Sequence, residues 1–389
     1  VAEWSIAPVL KTGGSKGSVS SNLTASAKSP TNKPLTGLFC LGDTLYHSLF
    51  TIRSLPFAQL IDGAFMNKRY LLSTLTLAAS ILFPSVSSAQ DFPPKRPVTL
   101  YVGFAAGGAA DAAARLIAKK LTENIGQNVV VENKAGAGGN IVHQQVANGV
   151  ADGSVILLGS IGPMTIAPHM MKVGYEPFKD LAPISGGVNF PNMLVVNKES
   201  GIKNLADFVA LAKKAPDTVS FASTGAGSAS HLTGELFAIR TNTEMLHVPY
   251  KGGAPAMQDL LANRFTGYFS APPTSIPHVE SGKLVAIATT GLTRPSYLSN
   301  VPTVAESGFP GFEALNWYAF LASAKVPSAI LDKWNAEIVK VLNDQSTKDA
   351  LTKLGLSGAP STRAELTSFM QKESEKWGKL VRERKITAD

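Results

Sequence analysis

Two glycine-rich stretches carry the clearest chemical meaning in the chain: Gly-Phe-Ala-Ala-Gly-Gly at 103–108 and Ser-Thr-Gly-Ala-Gly-Ser at 223–228. Each follows a strand-like run and precedes a helix-like one. At such a junction the first helical N–H groups lack partners, the aligned peptide dipoles place partial positive charge there, and glycine lets a ligand approach the backbone. Either loop would suit a carboxylate or phosphate, and the second adds hydroxyl donors. A tight turn with an N-cap is the plainer alternative for each taken singly. If the two face one another across a cleft, they hold one small anion without any arginine, each charge-assisted hydrogen bond contributing roughly 1.5–3 kcal/mol. Asp111 stands in the first turn after the first loop, where an acid complements the helix dipole. It would repel a bare carboxylate, so its partner should be a water, a backbone donor or a ligand N–H.

Catalysis has no comparable signal. Among His143, His169, His231, His247 and His278 there is no His-x-x-x-His spacing, so no metal site is indicated. Residues 90–389 lack a Gly-x-Ser-x-Gly elbow and a Walker loop, and the glycine spacing of 103–108 is wrong for a dinucleotide fingerprint. No cofactor is expected. A hydrolase using Ser223 or Ser228 with His231 is the enzymatic alternative, but a serine without a positioned base is unreactive. His231 stands one turn into its helix and more naturally serves a local polar network.

The elements that position these loops alternate. Strand-like runs at 97–104, 128–132 and 154–158 flank a helix over 109–125, with Ile117, Leu121 and Ile125 on one face and Gly126 as its stop. The alternation resumes with helices at 205–214, 229–239 and 254–261 and strands at 218–222, 245–248 and 264–269. Short strands spaced by helices imply right-handed crossovers, hence an α/β fold with mainly parallel sheets. From Pro327 onward the chain reads as helix, with Trp334 and Trp377 as core residues and Thr362 and Glu365 at capping-box spacing.

The 389 residues are 44% apolar and 16% charged with a single cysteine, which excludes disordered, disulfide-stapled and multi-span membrane classes and leaves room for two lobes. Residues 66–89 have the tripartite design of a secretory signal peptide, with basic Lys68 and Arg69, a short apolar run at 70–83, and small Ser87 and Ala89 before the expected cut at Gln90. Residues 1–65 then read as a non-native upstream extension. The remaining 300 residues carry 29 basic and 25 acidic side chains, a net of +4, which gives no case for nucleic acid. Cys40 lies before the cut, so the exported chain has no thiol.

Taken together the motifs resemble the Bug family, the TctC-type periplasmic solute receptors of tripartite tricarboxylate transport systems. The likeness runs through 97–111, 131–140, 151–153, 158–160, 221–228, 247–253, 302–308 and 334–337, and covers essentially 92–381. It implies a two-lobed Venus flytrap with two crossing strands at the hinge. Carried onto this sequence, one lobe would comprise 90–192 plus 315–389 and the other 193–314. The resemblance places a ligand carboxylate between Phe104, Ala105, Gly107, Gly108 and Asp111 on one side and Ser223, Thr224, Gly225 and Ser228 on the other. Ser160, Asn192, Tyr250 and Ser270 match positions near the cleft, as do Lys251 and the stretch 134–139. It implies a monomer in the periplasm that presents a small organic carboxylate to membrane permease subunits; a sensor feeding a signalling partner would need the same cleft. Where relatives commonly carry acids, this chain reads Arg264-Phe-Thr-Gly-Tyr-Phe-Ser270. With Thr266 and Ser270 there, the far end of the ligand is expected to be neutral, aromatic or a second carboxylate, packed against Phe190, Tyr268 or Trp317.

Overall fold

The computed structural model describes residues 92–387. The upstream extension 1–65 and the signal peptide 66–89 expected from the sequence lie outside the described residues. Among the described residues no helix is long and apolar enough to cross a membrane.

The chain opens with β1 (Val98–Val102), whose alternating burial marks a strand packed more tightly on one face. Helix α1 (Ala109–Ile125) follows; its buried stripe of alanines, Ile117 and Leu121 lies on the sheet, and Gly126, in the left-handed region, ends it by donating to the Thr122 carbonyl. Then come β2 (Val129–Asn133), α2 (Asn140–Ala147) and β3 (Val155–Ser160), with β2 and β3 both parallel to β1. Two long strands extend the first sheet, β4 (Leu181–Pro191) and, much later, β10 (Leu315–Ser323).

The second sheet is built from the intervening chain: β5 (Met193–Asn197), α3 (Leu205–Lys214), β6 (Ser220–Ser223), α4 (Ala229–Thr241), β7 (Leu246–Pro249), α5 (Gly253–Leu261), β8 (Gly267–Ser270), α6 (Pro272–Glu280) and β9 (Leu284–Thr289). The chain closes with α7 (Ser328–Asn343), α8 (Gln345–Lys353), β11 (Ser357–Gly358) and α9 (Arg363–Arg384). The strand orders are β11-β4-β10-β3-β1-β2 and β7-β6-β8-β5-β9. This is an α/β, two-lobed fold.

The sheets are mixed rather than mainly parallel, which corrects the sequence expectation. Parallel pairing holds for β1 with β2 and β3, and for β6 with β7 and β8. Strands β4, β5, β9 and β10 add antiparallel pairs because they link the lobes. A strand that enters a sheet from the other lobe arrives without a crossover helix to reverse it, so it pairs antiparallel. The two crossings are tied by hydrogen bonds: Asn192 N donates to Thr290 Oγ1 (2.8 Å), Thr290 Oγ1 donates to the Ala314 carbonyl (2.7 Å), and Thr290 N donates to the Asn192 carbonyl (3.0 Å).

The C-terminal helices brace the first sheet. Trp334 is fully buried, with its indole N–H donating to the Gly153 carbonyl at 2.8 Å, and Trp377 is buried as well. The capping box forms as expected, with Thr362 and Glu365 exchanging side-chain and backbone bonds at the start of α9.

Candidate functional site

The parallel strands of both sheets end at the same cleft, β1 and β3 from one lobe and β6 and β8 from the other. That is where open α/β sheets place ligands. The cleft encloses a cavity of about 30 Å³, of the order of two water molecules. Four helices present their N-termini to it: Gly108, Ala109 and Ala110 of α1, Ala229 and Ser230 of α4, Gly253 of α5, and Ala271 and Thr274 of α6 line the wall. No side chain caps α1, α5 or α6. The leading N–H groups of α1 and α5 therefore add partial positive charge to a wall that contains no Asp, Glu, Lys or Arg side chain, whereas α6 opens with Pro272 and Pro273, which have no N–H to offer.

The rest of the lining is apolar and neutral polar. Phe104, Ile161, Tyr268, Phe269 and Tyr318 supply the apolar surface. Burial raises the phenol pKa values of Tyr268 and Tyr318, so both remain neutral donors. Ser160 Oγ, Asn192 Oδ1 and Asn316 Oδ1 are buried with no hydrogen-bond partner, and all three residues line this one cavity. Their residues are only 3%, 1% and 8% exposed. Buried polar atoms are nearly always paired, so three unpaired ones in a single cleft point to a ligand or solvent. The sheet register explains the grouping. Ser160 pairs with Tyr318, and Asn316 stands two residues along on the same face of β10.

Of the residues expected from the sequence, Phe104, Gly108, Ser160, Asn192 and Thr224 line the cavity. The others stand behind it and shape it. Asp111 is 6% exposed and occupied: Gly107 N and Arg115 Nε donate to its Oδ2, both at 3.0 Å, and Arg115 forms the ion pair at 2.9 Å. Burial works to raise its pKa, but those hydrogen bonds and the Arg115 charge hold it below the usual carboxylate value. It braces the loop through the Gly107 backbone donor, one of the partners expected for it, and does not line the cavity. Gly107 takes φ +80°, the left-handed torsion that turns the loop into α1. Gly108 is in ordinary extended backbone, and a Cβ there would sit 3.6 Å from Gly253 N. What glycine provides at 108 is room between two helix N-termini, not an unusual torsion.

The second loop is spent differently. Ser223 Oγ lies 2.6 Å from His247 Nε2 and accepts from Gly225 N; the residue is wholly buried and does not line the cavity. Ser228 caps α4 by accepting from His231 N, while Ser230 Oγ accepts from Thr224 N. His231 Nδ1 accepts from Gly227 N, and its ring stacks on His247 with centroids 3.8 Å apart. Burial lowers the His231 pKa to about 4, and burial together with His231 lowers that of His247 to about 3. Both are neutral scaffold groups. Neither candidate serine meets the His231 ring.

Gly225 and its neighbours make the contact between lobes. A Cβ on Gly225 would sit 2.7 Å from Gly138 N, one on Gly138 would sit 2.4 Å from the Ala226 carbonyl oxygen, and one on Gly162 would sit 2.7 Å from that of Gly227. On the other side Ala105 N donates to the Lys251 carbonyl at 3.1 Å. So Ala105, Gly225 and Lys251 stand where the two loops meet the facing chain. Tyr250 turns away to donate to Asp259 Oδ2 at 2.8 Å, its pKa raised to about 12 by burial and by that carboxylate. Ser270 is buried beside Ala271, donating to its carbonyl. Thr266 pairs with Ser220 at the far end of β6. Lys134 lies over the Tyr101 ring, and Phe190 is core, whereas Trp317 borders a separate groove beside α9. Of the three aromatics expected at the ligand's far end, only Tyr268 reaches the cavity.

The sequence reading missed Asn316, Tyr318 and the N-termini of α5 and α6. The His-Val-Pro-Tyr-Lys-Gly-Gly segment at 247–253, with its glycine pair leading into a helix, carried a signal for α5. Asn316 carried none, because only the β10 register brings it to the cleft.

Residues 113–386 match the family described as "Tripartite tricarboxylate transporter family receptor". The chain belongs to that family. It is 33% identical to the protein BugT of Bordetella pertussis over 320 residues, covering 82% of this chain and 98% of that one. The solved structure of R. palustris Rpa4515 with adipate shares 32% identity and a TM-score of 0.74, covering 76% of this chain and 99% of the other. MatC from Rhodopseudomonas palustris, with bound malate, shares 29% identity and a TM-score of 0.71, covering 74% and 99%. This is a family of solute receptors, not enzymes. The Ser-His hydrolase alternative is thereby set aside, in keeping with the buried, engaged Ser223.

Proposed function

We propose that the chain is an extracytoplasmic receptor that binds a small carboxylate in the cleft described above and hands it to a membrane permease of the tripartite tricarboxylate type. The observation that carries this is the convergence of four helix N-termini on a cavity lined by no charged side chain, with the Ser160 hydroxyl unpaired on its wall. A carboxylate there would accept from the N–H groups of α1 and its neighbours. About four charge-assisted bonds of roughly 1.5–3 kcal/mol span the ~8 kcal/mol of micromolar affinity, before ordering costs. The adipate and malate held by the two similar structures are carboxylates of the kind this wall suits.

The lobes of this reading are 92–192 with 315–387, and 193–314, moving about the Asn192, Thr290 and Ala314 crossings. A four- to six-carbon diacid exceeds the enclosed cavity, so it enters with the lobes apart. Its contacts with both walls then favour the closed form. The periplasm is the compartment the expected signal peptide assigns, and a monomer suffices for the cleft.

A thermal-shift panel of mono-, di- and tricarboxylates, aromatic acids and amino acids tests this. Dicarboxylates are expected to raise Tm in proportion to the logarithm of their excess over Kd. A shift with basic amino acids alone would overturn the reading.

A further inference from the structure

Asn192 has an amide whose orientation the structure determines. Thr233 Oγ1 donates to the Ala229 carbonyl at 2.8 Å, so its single hydroxyl proton is committed and the oxygen can only accept. The Asn192 group 3.2 Å from that oxygen must therefore be the amide N–H. Its carbonyl oxygen Oδ1 is then an acceptor on a cavity-lining residue, 99% buried, with no donor in reach. Asn316 Oδ1 is a second unpaired oxygen on the same wall, and Ser160 Oγ a third polar atom free to donate or accept.

An anion cannot satisfy a carbonyl oxygen, because it brings no proton. A cation could, but four helix N-termini make the cleft unfavourable for one, and no carboxylate lines it. A neutral donor remains. Resting on the carboxylate-receptor reading, we infer that Asn192 selects a hydroxy acid: a carboxylate whose hydroxyl donates to Asn192 Oδ1 while its oxygen accepts from Ser160. The backbone of Asn192 is bonded on both sides to Thr290 at the lobe crossing, so the residue that reads the hydroxyl also belongs to the hinge.

The experiment compares calorimetric Kd values on the full chain for hydroxy acids and their deoxy partners at matched length: malate with succinate, and 2-hydroxyglutarate with glutarate, each hydroxy acid as both enantiomers. The hydroxy member of at least one pair is expected to bind at least tenfold more tightly. In Asn192→Leu that ratio should fall toward one while the deoxy acid still binds. Thr233→Val, which frees the amide to rotate without touching the cavity wall, should lower the ratio partway and covers the case in which Asn192→Leu fails to fold. Equal binding within every pair would overturn the inference and leave the carboxylate receptor standing. Binding of none of these acids would overturn the inference, and the receptor reading falls with it only if the wider thermal-shift panel also yields no carboxylate.

Discussion

The loops at 103–108 and 223–228 look alike in sequence, yet the structure uses them in opposite ways. The first leaves the start of α1 without a side-chain cap and aims it at the cavity, its shape held from behind by Asp111. The second caps its own helix with Ser228 and gives its glycines to contact with Gly138 and Gly162 of the other lobe. One loop offers donors and the other offers a close-fitting surface. Glycine next to a helix therefore has two meanings, and only the packing partner separates them.

The largest effect that would separate them is at Gly225. A valine there must displace the Gly138 backbone and also adopt φ +131°, so the lobes should fail to close. Affinity for a diacid should fall by at least a hundredfold, and small-angle scattering should no longer show compaction on ligand addition. Normal compaction in Gly225→Val would mean that this loop is not the closure surface.

Gly108→Asp probes the other half of the comparison. An aspartate N-cap suits a helix as well as glycine or better, so Tm should hold or rise slightly. The same carboxylate would occupy the α1 donors and repel the ligand, and affinity should drop roughly tenfold to a hundredfold. Stability and binding moving in opposite directions is the signature; unchanged affinity would place the ligand elsewhere.

Acid should act on the two loops in different windows. His231 and His247, beneath the second loop, have folded pKa values of about 4 and about 3 against an unfolded value of 6.5. His143, whose Nδ1 bonds to the Gly139 carbonyl, is likewise lowered by burial to about 4. For each, the unfolded chain binds the proton first as pH falls below 6.5, so stability is full above that pH and declines down to the folded value. Asp111 holds the first loop until the pH falls through its own lowered pKa, below 3.8. A Tm profile should slope downward from pH 6.5 to 4, and less steeply in His247→Gln, which keeps an acceptor for Ser223. An identical slope would remove the second loop from the acid response.

The smallest effect is expected from Asp111→Asn. It removes the charge facing half-exposed Arg115 while an amide oxygen still accepts from Gly107 N. A loss of about 1 kcal/mol in unfolding free energy and a severalfold loss of affinity are expected. A loss above a hundredfold would return Asp111 to direct ligand contact.

The fold class, α1, α3 and both glycine loops were legible because each rests on local pattern: helical spacing, a glycine stop, a strand run into a helix. The antiparallel strands β4 and β10 were not. Their continuous burial, the Gly186–Gly187 pair and the bulges in β10 pairing mask any period of two, and their partner strands lie far away in sequence. The site divides along the same line. Phe104, Gly108 and Thr224 belong to local loop motifs, whereas Asn316 and Tyr318 reach the cleft only through the long-range register of β10. For Asp111 the helix-start position suggested a backbone donor among its partners, but not that Arg115, one turn on, turns back to it.

A crystal structure of the chain with bound malate addresses the central claim most directly. The account predicts one carboxylate within hydrogen-bond distance of the backbone N–H groups at 108–110, with no arginine or lysine side chain touching it. A ligand lodged outside the cleft, or one whose carboxylate is held by a side-chain cation, would contradict it.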